Sequence, residues 1–288
     1  MRPSSFRYHK AESVDHALEL LARFGEDGRP LAGGQSLVPM MNLRLAAPEH
    51  LVDIGGLPLA DIAFTDTAMR VGALVRHRQY LAEPRVAHHF PALHEAVTWI
   101  GHPTIRQNGT TGGSLSHADP TAELALAAML YDAVMIVRST AGERRIAAAD
   151  FFEDAYVTAL QPGEMLVAAE FPLPPAGSAG AFVEFAERRG DFAIAAVGVS
   201  ITVADGRIAT AAIACSGAEP RPIRAPEVEM MLSGRPLTDP QSRAAGRRLA
   251  AAIDPVGTFL TTADYRKALI GELTARAIDT ACARAASR

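Results

Sequence analysis

Apolar residues near the N-terminus recur at the spacing of one helical face. They follow Ser13, precede Gly25, and comprise Val14, Ala17, Leu18, Leu21 and Phe24. Serine is a favoured N-cap, and glycine commonly ends a helix. The pattern therefore predicts an amphipathic helix from about residue 14 to residue 24.

Short apolar runs between turn residues predict strands through much of the chain up to residue 172. The runs lie at 30–32, 51–54, 69–73, 133–137, 144–147 and 165–171. A second apolar segment, predicted as helix, extends through Leu45 between the first two runs. Another helix is predicted over 91–100, where Gly101 and Pro103 interrupt the pattern.

The segment 108–114 is rich in glycine and is predicted to be a loop. Asp119 suits the N-cap of the helix that follows, Pro120 suits its first position, and Glu123 falls in its first turn. Asp119 and Glu123 also have simpler explanations, as a helix cap and as a surface acid. That helix is predicted to end near Leu130.

The composition changes at 172–180, a stretch rich in proline and glycine. Such a stretch is typical of a linker, and it predicts a domain boundary near residue 176. Beyond it, two strands at 194–203 and 208–216 flank a turn at 205–206. Three helical segments follow, at 225–232, 240–253 and 263–285, which predicts an α+β second domain.

Composition narrows the classes of function. The 288 residues are 49% apolar and carry a formal net charge of -4, with no basic and aromatic cluster of the kind that binds nucleic acid. Neither a signal peptide nor a membrane-spanning run is evident, so a cytoplasmic location is predicted. Two cysteines cannot form a disulfide framework or a four-cysteine cluster. His88, His89 and His94 lack the carboxylate pattern of a metal site, and none is predicted.

Two segments pair adjacent glycines with hydroxyl residues, at 32–39 and 109–115. Glycine lacks a Cβ, so consecutive backbone N–H groups can converge on one anion. Neither segment is a GxGxxG or Walker A sequence, and either pair taken alone is more simply explained as a turn. The residues by themselves therefore predict a possible phosphate cradle without naming its ligand.

Long strings in the chain resemble one protein family in the same order. They are AGGQSLVPMMNLRLAAPEHLVDI (32–54), IGHPTIRQNGTTGGSLSHADPTAELALAAML (100–130), GEMLVAAEFP (163–172) and RRGDFAIAAVGV (188–199). These strings are similar to the FAD-binding medium subunits of molybdenum hydroxylases of the carbon monoxide dehydrogenase and xanthine dehydrogenase type. The resemblance covers nearly the whole chain.

The resemblance implies an α+β fold. A PCMH-type FAD-binding domain, like that of vanillyl-alcohol oxidase, would span 1–176 as two α/β subdomains, at about 1–55 and 56–176. A smaller α+β domain, like the C-terminal domain of carbon monoxide dehydrogenase flavoproteins, would span 177–288.

The resemblance also implies which residues bind FAD. In the first segment they are Ala32, Gly33, Gly34, Gln35, Ser36 and Leu37, and in the second Thr110, Thr111, Gly112, Gly113 and Ser114. Glu123 would contact the flavin nucleotide, Leu166 would contribute a main-chain contact, and Phe192 would lie beside the isoalloxazine ring.

Two residues depart from the family pattern. Thr111 stands where an aliphatic residue is common, which would place a hydroxyl near the flavin ring. Phe192 stands where several relatives have tyrosine, so a role for a phenol hydroxyl is not expected. From the sequence alone, Phe192 is equally explained as a core aromatic residue.

In the family, the substrate reacts at a molybdopterin cofactor on a large subunit, and two [2Fe-2S] clusters on a small subunit carry electrons to the FAD. The resemblance thus implies an oxidoreductase subunit, in a heterotrimer that is itself doubled, with no catalytic side chain of its own. A self-sufficient flavin oxidase of the vanillyl-alcohol oxidase fold and a scaffold that has lost FAD are the alternatives. The substrate and the electron acceptor stay open.

Overall fold

A computed structural model describes residues 2–258 and 261–287. Its strands are β1 (Arg7–Lys10), β2 (Gly28–Leu31), β3 (His50–Asp53), β4 (Ile62–Phe64), β5 (Ala68–Gly72), β6 (Val134–Ser139), β7 (Gly142–Ala147), β8 (Phe152–Asp154), β9 (Val157–Thr158), β10 (Met165–Pro172), β11 (Ala179–Phe185), β12 (Ala195–Ala204), β13 (Arg207–Ser216) and β14 (Ile223–Arg224). Its α-helices are α1 (Val14–Phe24), α2 (Leu37–Asn42), α3 (His77–Ala82), α4 (Pro84–His89), α5 (Pro91–Trp99), α6 (Pro103–Asn108), α7 (Thr111–His117), α8 (Glu123–Leu130), α9 (Ala148–Phe151), α10 (Pro226–Leu232), α11 (Ser242–Ala252) and α12 (Ala263–Ala286).

The first helix forms as its sequence predicts. The Ser13 side chain accepts a hydrogen bond from the His16 N–H at 3.0 Å, and Gly25 ends the helix with a φ of 54°. The apolar face of α1 is buried against the strands beside it. Burial of this face and the cap together fix the helix.

The N-terminal strands form a parallel sheet in the order β1-β3-β2. Parallel strands present their carboxyl ends at the same edge, which is where ligands commonly bind in α/β folds. The first glycine segment leaves the carboxyl end of β2 at this edge, and the Ile54 N–H donates to the Leu31 carbonyl there at 3.0 Å. The sheet thus positions residues 32–36.

The central sheet is antiparallel, in the order β4-β5-β10-β6-β7. Helix α8 is buried on every side from Leu124 to Leu130, which is why its sequence lacks a polar face. It packs on β12 and β13 of the next sheet and on α5. A largely apolar core therefore joins the central sheet to the C-terminal part of the chain.

The C-terminal sheet is antiparallel, in the order β11-β12-β13-β14, and α10 to α12 cover one of its faces. Its edge strand β11 meets α5 through a polar clamp. Glu95 on α5 accepts from the Phe182 N–H at 2.9 Å and pairs with Arg284, which also donates to the Gly180 carbonyl at 2.7 Å. The clamp ties α12, β11 and α5 together.

Two sequence predictions for residues 108–123 are wrong. The segment 108–114 is not a continuous loop, because α7 begins at Thr111, where the Thr110 hydroxyl accepts from the Gly113 N–H at 3.1 Å. Asp119 does not cap the next helix, which begins at Glu123. The Asp119 carboxylate instead accepts from the N–H and hydroxyl of Thr121, so its capping capacity is used in a local turn.

No helix in the described ranges is long and apolar enough to cross a membrane. Cys215 and Cys282 are both buried and unbonded to each other. The boundary near residue 176 stays a prediction; the segment 173–178 connects the central sheet to the C-terminal sheet.

Candidate functional site

A single long cleft of about 1250 Å³ runs along the carboxyl edge of the parallel sheet and between that sheet and the rest of the chain. It is lined by the first glycine segment and α2, by residues of α6, α7 and the turn before α8, by the loop 156–166, and by the loop 190–193 of the C-terminal part. Thirteen of the fourteen residues that the sequence singles out line it: Ala32, Gly33, Gly34, Gln35, Ser36, Leu37, Thr110, Gly112, Gly113, Ser114, Glu123, Leu166 and Phe192.

The two glycine segments meet in the cleft, where the Gly33 backbone lies against the backbone of Asn108 and Gly109. A Cβ on Gly33 would lie 2.2 Å from the Asn108 carbonyl oxygen and 3.1 Å from the Gly109 Cα. No side chain fits at that distance, so Gly33 is required for packing. This contact brings the two glycine segments together.

The first segment exposes a row of unused donors. No acceptor in the described part of the chain takes the N–H groups of residues 33–37. Gly34 has a left-handed φ of 70°, and Ser36, two residues further on, is in the right-handed helical region. Free N–H groups where left- and right-handed residues lie close in sequence can converge on one anion.

The second segment uses its donors within the fold. The Thr111 N–H donates to the Val75 carbonyl at 2.9 Å and the Gly112 N–H to the Ala73 carbonyl at 2.7 Å. A Cβ on Gly112 would lie 2.6 Å from the Ala73 Cβ, and one on Gly113 would lie 2.8 Å from the capping Thr110 hydroxyl. These two glycines serve packing and capping, and the expected second cradle of N–H groups is wrong.

Thr111 is the residue that the structure places outside the cleft. Its side chain is 1% exposed, and its hydroxyl bonds the Tyr80 hydroxyl at 2.8 Å and the Val75 carbonyl at 3.2 Å. The expectation of a Thr111 hydroxyl beside a flavin ring is therefore wrong, because that hydroxyl is satisfied inside the core.

Phe192 lies at the cleft with 79% of its surface exposed. The alternative reading of Phe192 as a core aromatic is therefore excluded. The loop that carries it packs tightly on the turn between α5 and α6, since a Cβ on Gly190 would lie 3.1 Å from the Gly101 backbone. Leu166 on β10 is buried and lines the same cleft.

Two carboxyl groups, Glu123 at the start of helix α8 and Glu184 on strand β11, lie close enough to interact. Burial raises the pKa of Glu123, the Asp119 charge raises it further, and Arg106 opposes the shift. Burial and the nearby Glu123 carboxylate also raise the pKa of Glu184 on β11, while Arg189 opposes this. Glu184 is 5% exposed, and neither of its oxygens has a hydrogen-bond partner in the described residues.

Sequence reasoning did not single out His77, His117 and Tyr156, whose rings also line the cleft. His77 packs against Gly109, and burial lowers the pKa of its imidazole to about 4, so the ring is neutral. His117 and Tyr156 lie side by side, with ring centroids 5.1 Å apart. No local motif marks these residues, because each reaches the cleft through a contact made only in the folded chain.

Comparison with known proteins supplies family matches over almost the whole length. Residues 4–174 match the FAD binding domain in molybdopterin dehydrogenase, and residues 180–281 match the CO dehydrogenase flavoprotein C-terminal domain. The chain is 39% identical to the 6-hydroxypseudooxynicotine dehydrogenase complex subunit alpha of Paenarthrobacter nicotinovorans, over 99% of this chain and 97% of that protein. It is 35% identical to the carbon monoxide dehydrogenase medium chain of Afipia carboxidovorans, over 99% of each.

A solved structure matches the fold closely. Carbon monoxide dehydrogenase from Hydrogenophaga pseudoflava contains a chain that superposes with a TM-score of 0.95 at 33% identity, covering 99% of each chain.

The buried carboxyl pair generates a pH prediction. A carboxyl whose pKa is raised by folding gives its full stabilisation below its unfolded pKa of about 4, and that contribution is lost as the pH rises through the raised value. For Glu184 this loss falls between about pH 4 and its raised pKa of about 9. We therefore expect the free energy of unfolding over this range to decrease more steeply, or to increase less, with pH in wild type than in Glu184→Gln. Urea unfolding of the purified protein across the pH range measures it.

The exposed Glu187, three residues further along the chain, provides the matched control. Glu187→Gln is expected to keep the wild-type pH dependence. An equal slope in wild type and Glu184→Gln contradicts the interpretation of Glu184 as a buried carboxyl that is neutral in the fold.

Proposed function

This chain belongs to the FAD-binding subunits of the molybdenum hydroxylases, and on that premise we propose that it holds one FAD along the cleft and passes electrons from an iron-sulfur partner to an external acceptor. The observation that carries the proposal is the row of free N–H groups at residues 33–37. A diphosphate offers several anionic oxygens to such a row, so the residues present fit the cofactor.

We assign roles to the cleft residues on this basis. The pyrophosphate lies against Ala32 to Leu37, with hydroxyl groups of Ser36 and Ser114 as further donors. Glu123 contacts the nucleotide, the Leu166 backbone contacts the flavin, and Phe192 covers the flavin ring. Thr111 does not contact the cofactor but supports the cleft, because its bonds to Val75 and Tyr80 anchor α7.

The bound flavin supplies the redox chemistry, as it accepts and donates electrons. The chain's own residues bind and orient the flavin and exclude water from one face of its ring. Relatives of similar identity are named for different substrates, carbon monoxide and 6-hydroxypseudooxynicotine among them. This supports our proposal that the substrate is selected on another chain.

Partner subunits follow from the same proposal. Cys215 and Cys282 are buried apart from the cleft, so cluster ligands belong to a small [2Fe-2S] subunit, and the molybdopterin belongs to a large subunit. We propose a dimer of such heterotrimers in the cytoplasm. A self-sufficient oxidase is disfavoured, because the relatives that serve as complex subunits have the length of this chain.

Removal of the left-handed glycine should remove the cofactor. In Gly34→Val the branched side chain is strained at a φ of 70° and its Cβ lies 3.3 Å from Val38 Cγ2, so the row of N–H groups is displaced. We expect FAD binding to be lost. Visible absorbance of purified, FAD-supplied protein measures it.

Gly206 is the matched control, because it also has a φ of 70° but lies in an open turn with nothing within 4 Å of an added Cβ. Gly206→Val should carry the same backbone strain and retain flavin. A folded wild-type protein that shows no flavin absorbance overturns the assignment.

Co-purification tests the partner proposal. An affinity-tagged chain expressed in its native host should elute with two further chains, one of which carries the absorbance of [2Fe-2S] clusters. We expect substrate turnover only in fractions that contain all of them. Full turnover by the isolated chain contradicts the heterotrimer.

Phe192 tests the position of the flavin ring. Because the side chain is 79% exposed, Phe192→Ala should leave the melting temperature nearly unchanged. It should uncover the ring, shift the flavin absorption bands and speed reoxidation by oxygen, since aromatic contacts contribute about 1 kcal/mol. Phe192→Tyr should change these much less, and unchanged spectra in Phe192→Ala remove Phe192 from the site.

A further inference from the structure

Tyr156 combines backbone strain with an open aromatic face. It lies at the tip of the hairpin formed by β8 and β9, lines the cleft, and is 57% exposed. Its φ of 61° is left-handed, a conformation that is unfavourable for a residue with a Cβ. Backbone strain of this kind clusters at active sites and ligand-binding positions.

Several contacts hold the Tyr156 ring in place. The Tyr156 N–H donates to the Ala118 carbonyl at 2.8 Å, and Ala118 is itself left-handed with a φ of 50°. The Tyr156 hydroxyl donates to Asp119 Oδ2 at 3.3 Å. Asp119 is buried, and its other oxygen accepts from Thr121 at 2.8 and 2.7 Å. The phenol is therefore anchored by its hydroxyl and backbone and contacts the His117 ring at 5.1 Å between centroids, while 57% of the residue stays exposed.

A chain of contacts leads from Tyr156 through Asp119 to the loop that carries Phe192. Pro120, next to Asp119, accepts from the Gly217 N–H at 3.1 Å. Gly217 in turn packs on Ile194, since a Cβ on Gly217 would lie 2.5 Å from the Ile194 carbonyl oxygen. Ile194 is two residues from Phe192. A continuous set of contacts thus connects the two exposed aromatic residues.

The free N–H groups lie at the other end of α7. Gly33 packs on Asn108 and Gly109, just before α7, whereas Tyr156 bonds Ala118, just after it. A helix of seven residues is roughly 10 Å long at 1.5 Å per residue. Tyr156 therefore lies about one short helix away from the anion-binding part of the cleft.

We propose that Tyr156 is a second aromatic contact for the flavin ring, on the hairpin of β8 and β9, in addition to Phe192. This inference rests on the proposed function and deepens it, because it assigns a residue that binds the planar heteroaromatic half of the cofactor. The diphosphate and adenosine half is bound elsewhere in the cleft.

Tyr156→Asn tests the inference without adding strain, because asparagine tolerates a left-handed φ better than tyrosine. Tyr156→Phe keeps the ring and loses the hydroxyl. Tyr265→Asn is the matched control, since Tyr265 is 45% exposed and does not line the cleft. The full chain, stripped of flavin, is titrated with FAD and separately with ADP, which has the diphosphate and adenine but no flavin.

We expect Tyr156→Asn to bind FAD about five- to tenfold more weakly, as for the loss of one aromatic contact, and ADP with unchanged affinity. Tyr156→Phe and Tyr265→Asn should bind both ligands nearly as wild type does. The melting temperature of flavin-free Tyr156→Asn should equal or exceed that of wild type, which separates a lost contact from a damaged fold.

Two results overturn the inference alone: equal weakening of FAD and ADP in Tyr156→Asn, or unchanged affinity for both, in a wild type that binds FAD. A wild-type chain that binds ADP but not FAD overturns the proposed function together with the inference.

Discussion

The cleft depends on one contact, the close approach of the Gly33 backbone to the backbone of Asn108 and Gly109. It sets the distance between the edge of the parallel sheet and the start of α7. At that distance, the donors of residues 33–37 face a space bounded by α7 and the loop 156–166. A methyl group at Gly33 would separate these parts, because a packed interior accommodates extra volume only by shifting backbone.

Two glycine pairs that look alike in sequence have opposite roles. The pair at 33–34 leaves its N–H groups free, whereas the N–H groups of Gly112 and Gly113 are bonded to Ala73 and Thr110. Glycine is needed in both places for the same steric reason, close approach. At the first pair, the Asn108 backbone and the proposed ligand approach closely. At the second pair, Ala73 and the capping Thr110 hydroxyl do so.

Local sequence predicted most elements and the position of the cleft, and thirteen of the fourteen residues that the resemblance implies line it. The helix α1 and the strands on either side of Gly206 follow from spacing, cap and turn residues that are neighbours in the chain. Thr111, Asp119 and Tyr156 could not be placed in this way. Thr111 bonds Tyr80, which is 31 residues away, and Asp119 and Tyr156, which are 37 residues apart, bond each other. Tertiary contacts of this kind override local propensity.

The clamp of Glu95 and Arg284 also determines when the fold can be completed during synthesis of the chain. Its two members are separated by 189 residues, which a ribosome adds in about 10 to 40 seconds. During that interval the central sheet is completed by β6, β7 and β10, but the seam that joins α5 to the C-terminal helix is incomplete. The seam therefore closes late in translation, and until then its apolar surfaces are exposed to chaperones and to other nascent chains.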